Sequence, residues 1–262
     1  ADDAHLKNPR GICVGPEGNL SVADRGNHRI VCFDPSGKAV GKLAVEWPLY
    51  VAVHPRSGAI YAVCGYRTYR LVKFSGLKAS QPAAETPLKS RKPFLAVDAT
   101  RRTTRIYIAN ASRPAPDSHT YEPVVVRFVD KGSTFKPDGR ITRGQGNNAS
   151  PYLLGIDRRH ELVYGRSGKG YRRWDGKSGD TEPIRLRQHP KSSNASQLTC
   201  APHGTVAVHV PKELGLFDHN LLPLAFASTG TFLTRLLRED GVLHGRDLTV
   251  TPHGVVYRIH ER

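Results

Sequence analysis

The residues of this chain whose types and spacing most suggest chemistry are arginines interleaved with tyrosines, as in Tyr66-Arg67-Thr68-Tyr69-Arg70 and Tyr171-Arg172. A guanidinium pairs with phosphate or carboxylate through a planar fork, while a neighbouring ring stacks on a base or sugar. Metal and redox chemistry find less support. The four cysteines, Cys13, Cys32, Cys64 and Cys200, include no Cys-x-x-Cys spacing, so neither zinc nor dithiol chemistry is indicated. The 12 histidines are scattered without His-x-His or His-Glu-x-x-His, and His54, His203 and His253 stand in turns beside proline. No Gly-x-Ser-x-Gly elbow, P-loop or dinucleotide fingerprint occurs, and Gly144-Gln-Gly146 and Gly165–Gly170 follow no strand-to-helix pattern.

Charge narrows the partners. Lys plus Arg number 39 against 23 Asp plus Glu, giving a formal charge of +16. Such a surplus attracts phosphate, sulfate, acidic glycans or acidic protein faces. No run reaches the roughly 18 apolar residues a membrane span needs, and Ala1-Asp2-Asp3 does not read as a signal peptide. The expectation is a soluble protein, with an extracytoplasmic compartment favoured over the cytoplasm. The absence of Met, including at position 1, reads as a processed form or a piece of a longer parent protein.

The elements that must position these residues are short strands. Gly 25 and Pro 19 favour a turn-rich β protein. From Asn8 to Lys38 three apolar runs, Gly11 to Val14, Leu20 to Asp24 and Arg29 to Asp34, are separated by turn chemistry at Pro16-Glu17-Gly18, Arg25-Gly26-Asn27 and Pro35-Ser36-Gly37. The first-strand pattern recurs at Val14, Val53, Val97, Ile156, Cys200 and Val250, with spacings of 39, 44, 59, 44 and 50 residues. A period of about 40 to 50 residues suits a four-stranded propeller blade. Second strands follow at Leu20 to Asp24, Ile60 to Cys64, Ile106 to Asn110, Leu162 to Arg166, Val206 to Val210 and Val256 to His260. Five third strands end in an aromatic residue, Phe33, Phe74, Phe128, Trp174 and Phe217, usually with Asp close behind to open the next turn. Fourth strands are expected near Gly41 to Ala44, Thr86 to Leu88, Arg140 to Thr142, Pro183 to Leu186 and Pro223 to Phe226. Cys13 and Cys32 then lie in strands one and three of one blade, about 10 Å apart and beyond disulfide reach. The sixth copy stops after two strands. Residues 1 to 7 can supply an outer strand to close it, but a third strand is then missing. The expectation is either that the sequence stops inside its last blade or that an irregular segment such as Thr231 to Arg238 fills the gap.

The run Asn-Leu-Ser-Val-Ala-Asp24-Arg-Gly-Asn27-His28-Arg29-Ile30, with Phe33-Asp34 and Gly37, resembles the NHL repeat, whose defining letters are Asn27 and His28. The resemblance is sharp over residues 8–38 and loose in the other copies, which lack the Asn-His pair. It implies an all-β fold, a six-bladed β-propeller of four-stranded antiparallel blades with an incomplete or irregular last blade. The expected blades in one domain of residues 1–262 are 8–44, 45–90, 91–146, 147–190, 191–240 and 241–262, the last closed by 1–7.

In a propeller the loops joining strands two and three share one face with those joining strand four to the next blade, and that face usually binds ligands. Here it would carry Arg10, Arg25, His28, Trp47, Tyr50, Tyr66, Arg67, Tyr69, Arg70, Lys89, Arg91, Lys92, Tyr152, Arg166, Lys169, Tyr171, Arg172 and Arg246. Among these, Arg10, Arg25, Tyr50, Tyr66, Arg67, Arg70, Arg91, Lys92, Arg166, Lys169, Tyr171, Arg172 and Arg246 are the candidate ligand-binding residues. The expected function is a non-enzymatic binding platform for a protein partner or an anionic macromolecule such as RNA or an acidic glycan, with no cofactor. The family resemblance brings single-stranded RNA in as one alternative. A second alternative is a lyase or lactonase-type hydrolase with Ca or Zn on the propeller axis, for which Asp24, Asn110 and His260, at equivalent second-strand ends, are the candidate ligands. His28, His209 and His260 could converge there too. The equivalents Cys64, Arg166 and Val210 suit a hard cation poorly, and the enzyme reading is the weaker one. Sequons at Asn19, Asn110, Asn148 and Asn194 would, if glycosylated, cover part of the face.

Overall fold

In the computed structural model, apolar residues alternating across tight turns give 22 strands among the described residues. The structure describes residues 5–89, 93–99, 102–112, 122–141, 154–157, 161–167, 170–175, 181–184, 197–200, 206–210, 213–217, 223–228, 248–250 and 256–258. Two compact units divide the chain, residues 1–112 with 124–140 and residues 113–123 with 141–262.

The first unit holds three antiparallel sheets of four strands, each laid down in chain order. They are β1 to β4 (Pro9–Val14, Leu20–Asp24, Arg29–Phe33, Ala39–Ala44), β5 to β8 (Pro48–Val53, Ile60–Gly65, Tyr69–Phe74, Ala84–Leu88) and β9 to β12 (Phe94–Asp98, Arg105–Ser112, Glu122–Asp130, Phe135–Ile141). The second unit holds two more, β13 to β16 (Leu154–Asp157, Leu162–Ser167, Gly170–Asp175, Thr181–Ile184) and β17 to β20 (Gln197–Cys200, Val206–Val210, Glu213–Phe217, Pro223–Ser228). A pair, β21 (Leu248–Val250) and β22 (Val256–Arg258), follows. Among the described residues the sixth copy has two strands. The segment 231–238 lies outside the described residues.

First strands of successive sheets lie beside one another, β1 by β5 and β5 by β9 in one unit, β13 by β17 and β17 by β21 in the other. Gly11 makes the first of these approaches possible, because a Cβ there would stand 2.6 Å from Tyr50 Cα and 2.7 Å from the Leu49 carbonyl oxygen. The core lies between sheets. Ile60, Ala62 and Cys64 of β6 join Ala23, Ile30 and Leu43 of the first sheet, whereas Tyr61 and Val63 face Ile106, Ile108 and Phe128 of the third. That is the period-two alternation of a strand buried on both faces. The outer strand β4 shows the complementary pattern, in which Leu43 is buried and Val40, Lys42 and Ala44 are exposed.

Hydrogen bonds at the ends of third strands explain the recurring Asp. Asp34 accepts from the Ser36 amide at 2.9 Å, the Ser36 hydroxyl at 2.6 Å and the Lys38 amide at 3.0 Å, closing the turn to β4. Asp130 accepts from the Gly132 amide at 2.7 Å and also takes the Tyr61 hydroxyl at 2.6 Å and Lys73 Nζ at 2.7 Å from the second sheet. Burial alone would raise the Asp130 carboxyl, but the Lys73 and Tyr61 hydrogen bonds hold it below its ordinary value. Burial and the Asp130 hydrogen bond push the Tyr61 phenol up.

The outer strand of the third sheet begins at Phe135, several residues before the expected Arg140. Phe135 is buried, and Asp138 accepts from Arg127 Nε at 2.8 Å, so a strand persists through Pro137-Asp138-Gly139 despite its turn-forming composition. Strand β10 runs on through Asn110 to Ser112. The Asn110 sequon therefore sits within a strand.

Candidate functional site

The turn between β2 and β3 is held by the repeat's own charged residues. Asp24 is fully buried and its carboxylate accepts from Arg29 Nε and the Lys7 amide, each at 2.7 Å, and from Asn27 Nδ2 at 2.8 Å. Arg29 and Asn27 each also donate to the His5 carbonyl at 3.1 Å. Of the expected closing segment 1–7, residues 5–7 are thus clasped to this turn as irregular chain, and residues 1–4 lie outside the described residues. Gly26 completes the clasp by donating its amide to the Lys7 carbonyl at 2.7 Å, where a Cβ would collide with that same oxygen.

This fixed turn delivers Arg25 and His28. Their neighbours come from the connection after β4 and from the β6–β7 turn, and backbone bonds join all three loops. The Val45 amide donates to the His28 carbonyl at 3.0 Å, and the Gly65 amide donates to the Trp47 carbonyl at 2.9 Å. Gly65, at φ 136°, is needed because a Cβ would run into the Thr68 carbonyl. The result is a cluster in which the Trp47 ring lies 4.4 Å from His28, edge to face, and 5.4 Å from Tyr66. The Arg25 guanidinium carbon stands 5.3 Å from the Trp47 ring and 5.7 Å from the Tyr66 ring. Arg25 is only 8% exposed, while Trp47 is 37% and Tyr66 64% exposed.

Trp47 is also conformationally unusual. It has φ 50°, in the left-handed region that bulky side chains avoid. The corresponding position one repeat earlier, also just before a proline, is Asn8 at φ 49°. Asn tolerates this backbone because its short polar side chain bonds locally. A Trp in its place is held against a local steric preference, a condition that collects at ligand-binding sites.

The structure brings Arg25 and Tyr66 together and adds His28 and Trp47. Other predicted positions lie at the edge of this cluster or apart from it. Tyr50 stacks against Phe94 at 5.2 Å, at the junction of the second and third sheets. Arg70 reaches the outer strand, where its guanidinium lies 3.2 Å from Glu85. Arg67 is exposed beside Tyr66, and Arg10 is half-buried in β1. Arg166, Tyr171 and Arg172 lie on the paired strands β14 and β15, Arg166 directly opposite Tyr171. Arg91, Lys92, Lys169 and Arg246 lie outside the described residues.

Of the axial metal candidates, His260 lies outside the described residues and Asn110 is placed only as part of β10. Asp24 is described, and both of its oxygens are occupied by protein donors, a poor fit to a cation ligand. Among the described residues no three His, Cys, Asp or Glu side chains gather as a metal site. Cys64, at the equivalent strand end, has its thiol pushed up to about 12 by burial, so it is an unreactive core residue. All four cysteines are free thiols.

Comparison with known proteins places these features. An NHL repeat model matches residues 6–33, the segment that forms the Asp24 clasp and the Arg25 turn. A gluconolactonase from Xanthomonas campestris superposes with a TM-score of 0.62 at 12% identity, over 98% of this chain and 84% of that one. A chain of the nidogen/laminin complex also superposes with a TM-score of 0.62, at 10% identity, over 86% of this chain and 82% of that one. At such identities the likeness shows the fold, a β-propeller. A search of curated proteins finds no match.

Proposed function

We propose that this NHL-repeat β-propeller is a non-enzymatic binding platform that holds an acidic protein partner on the loop face carrying Arg25, His28, Trp47 and Tyr66. One observation carries the reading: a solvent-facing Trp–Tyr pair is built around a nearly buried arginine, on a chain of charge +16. Trp, Tyr and Arg are the residues that most often dominate protein–protein binding energy, because each offers large area or several donors at low entropic cost. The nidogen/laminin chain is a propeller found in a protein complex, which is compatible with this use of the fold.

The experiment is panning of a random phage-displayed peptide library on the immobilised full chain and on the Tyr66→Ala/Arg67→Glu double variant. Peptides of net negative charge should enrich on the first and not on the second, and rising salt should release them. Equal enrichment on both proteins would overturn the reading. The gluconolactonase likeness supports a second reading, lactone hydrolysis at a metal held elsewhere on the chain. Gluconolactone hydrolysis with added Ca or Zn should stay at the buffer rate; a metal-dependent rate above it would favour that enzyme instead.

A further inference from the structure

Resting on that platform reading, we infer that Arg25 is the seat for a single carboxylate side chain of the partner, with an apolar residue beside it packing on Trp47 and Tyr66. The guanidinium differs from the paired arginines near it. Arg29 is neutralised by Asp24 and Arg70 faces Glu85, but Arg25 has no carboxylate or carbonyl acceptor among the described residues. Its contacts are the two rings, which interact with its charge but leave its N–H donors unmatched. Its nitrogens are not among the buried side-chain atoms left without a partner, so they meet solvent at the edge of the rings, and a carboxylate arriving on the fork would replace water there with a charge-assisted pair.

The same cluster argues against other ligands. A quaternary or methylated amine would seek the faces of these rings, but Arg25 already supplies a cation to them. A nucleic-acid strand would need a row of cations for successive phosphates. Here the described cations around the rings are few: the exposed Arg67 beside Tyr66 adds one to Arg25, Arg70 is already matched by Glu85, and the exposed Glu46 stands beside Trp47 in sequence. One carboxylate with an apolar neighbour matches a seat whose floor is Arg25 and whose exposed wall is aromatic.

The test uses two phage libraries with randomised flanks, one fixing glutamate-leucine at the centre and the other glutamine-leucine, panned on the full chain. The glutamate library should enrich about tenfold or more over the glutamine library, the ratio a single well-made charge-assisted contact gives. That preference should vanish on Arg25→Gln and fall on Arg25→Lys, which keeps the charge but loses the fork. If Arg25→Gln does not fold, Tyr66→Ala removes a mostly exposed ring and should weaken retention of the glutamate library on a folded protein. Equal enrichment of the two libraries, or a preference unchanged by these substitutions, overturns the seat. Acidic peptides that bind independently of Arg25 but are lost on Arg67→Glu would overturn the seat and leave the platform standing. Retention of a uridine oligonucleotide in place of both libraries would overturn the acidic-protein assignment, and no retained probe of any kind would overturn the platform as well.

Discussion

At the scale of single residues, carboxylates at strand ends do different work. Asp24 ends a second strand, and from spacing alone it qualifies as a ligand on a propeller axis. Its partners, Arg29 five residues on and the amide of Lys7 seventeen residues back, are what the spacing could not reveal. Asp24→Ala would leave the Arg29 charge buried without its counter-ion, and should cost about 3–5 kcal/mol in urea unfolding. The Asp at third-strand ends, by contrast, was legible as a turn former, and Asp34 is one. Asp130 adds a bridge to Tyr61 and Lys73, and because its folded carboxyl lies below its ordinary value the sign of its pH dependence follows. Its stabilisation is complete above the unfolded value of about pH 4 and is lost as pH falls through the lower folded value. Asp130→Asn should therefore remove that part of the acid-side loss of stability, as measured by urea midpoints across acidic pH.

At the scale of elements, strand positions were readable because turn residues and alternating apolar residues both follow from backbone geometry. The observed β2 and β18 have the predicted bounds, and the later strands follow the same rhythm. The start of β12 was not readable, because burial of Phe135 and the Asp138 ion pairs override a Pro-Asp-Gly stretch. Close approach of β1 and β5 was equally hidden, since a glycine within a strand reads as weakness until its neighbour is known. Gly11→Ala should cost about 1–3 kcal/mol through the clash with Leu49 and Tyr50, whereas Gly58→Asn, at φ 69° with open space around it, should change the thermal midpoint little. The interleaved Arg and Tyr did not reveal which side chains would meet, because Arg70 and Tyr50 find partners across strands and sheets. Trp47 can be examined by paired substitution: Trp47→Asn should be more stable than Trp47→Ala by up to about 1 kcal/mol, since Asn suits the left-handed backbone, while both variants lose peptide retention.

At the scale of the whole molecule, a surplus of positive charge makes attraction to acidic partners long-ranged and sensitive to salt, but it does not choose among them. On the proposed reading, choice falls to the short-range cluster, where three loops from two sheets are joined by backbone bonds and hold Arg25 between two rings. The clasp on residues 5–7 has a practical consequence for any such measurement. Because the Lys7 carbonyl is bonded to Gly26, next to Arg25, a peptide joined to His5 through a Gly-Ser linker would start close to the same cluster. A short Gly-Ser linker would give its cargo a local concentration in the millimolar range. An acidic tag placed there should act as a built-in competitor and suppress peptide retention, and cleaving the tag should restore it without any change in unfolding midpoint.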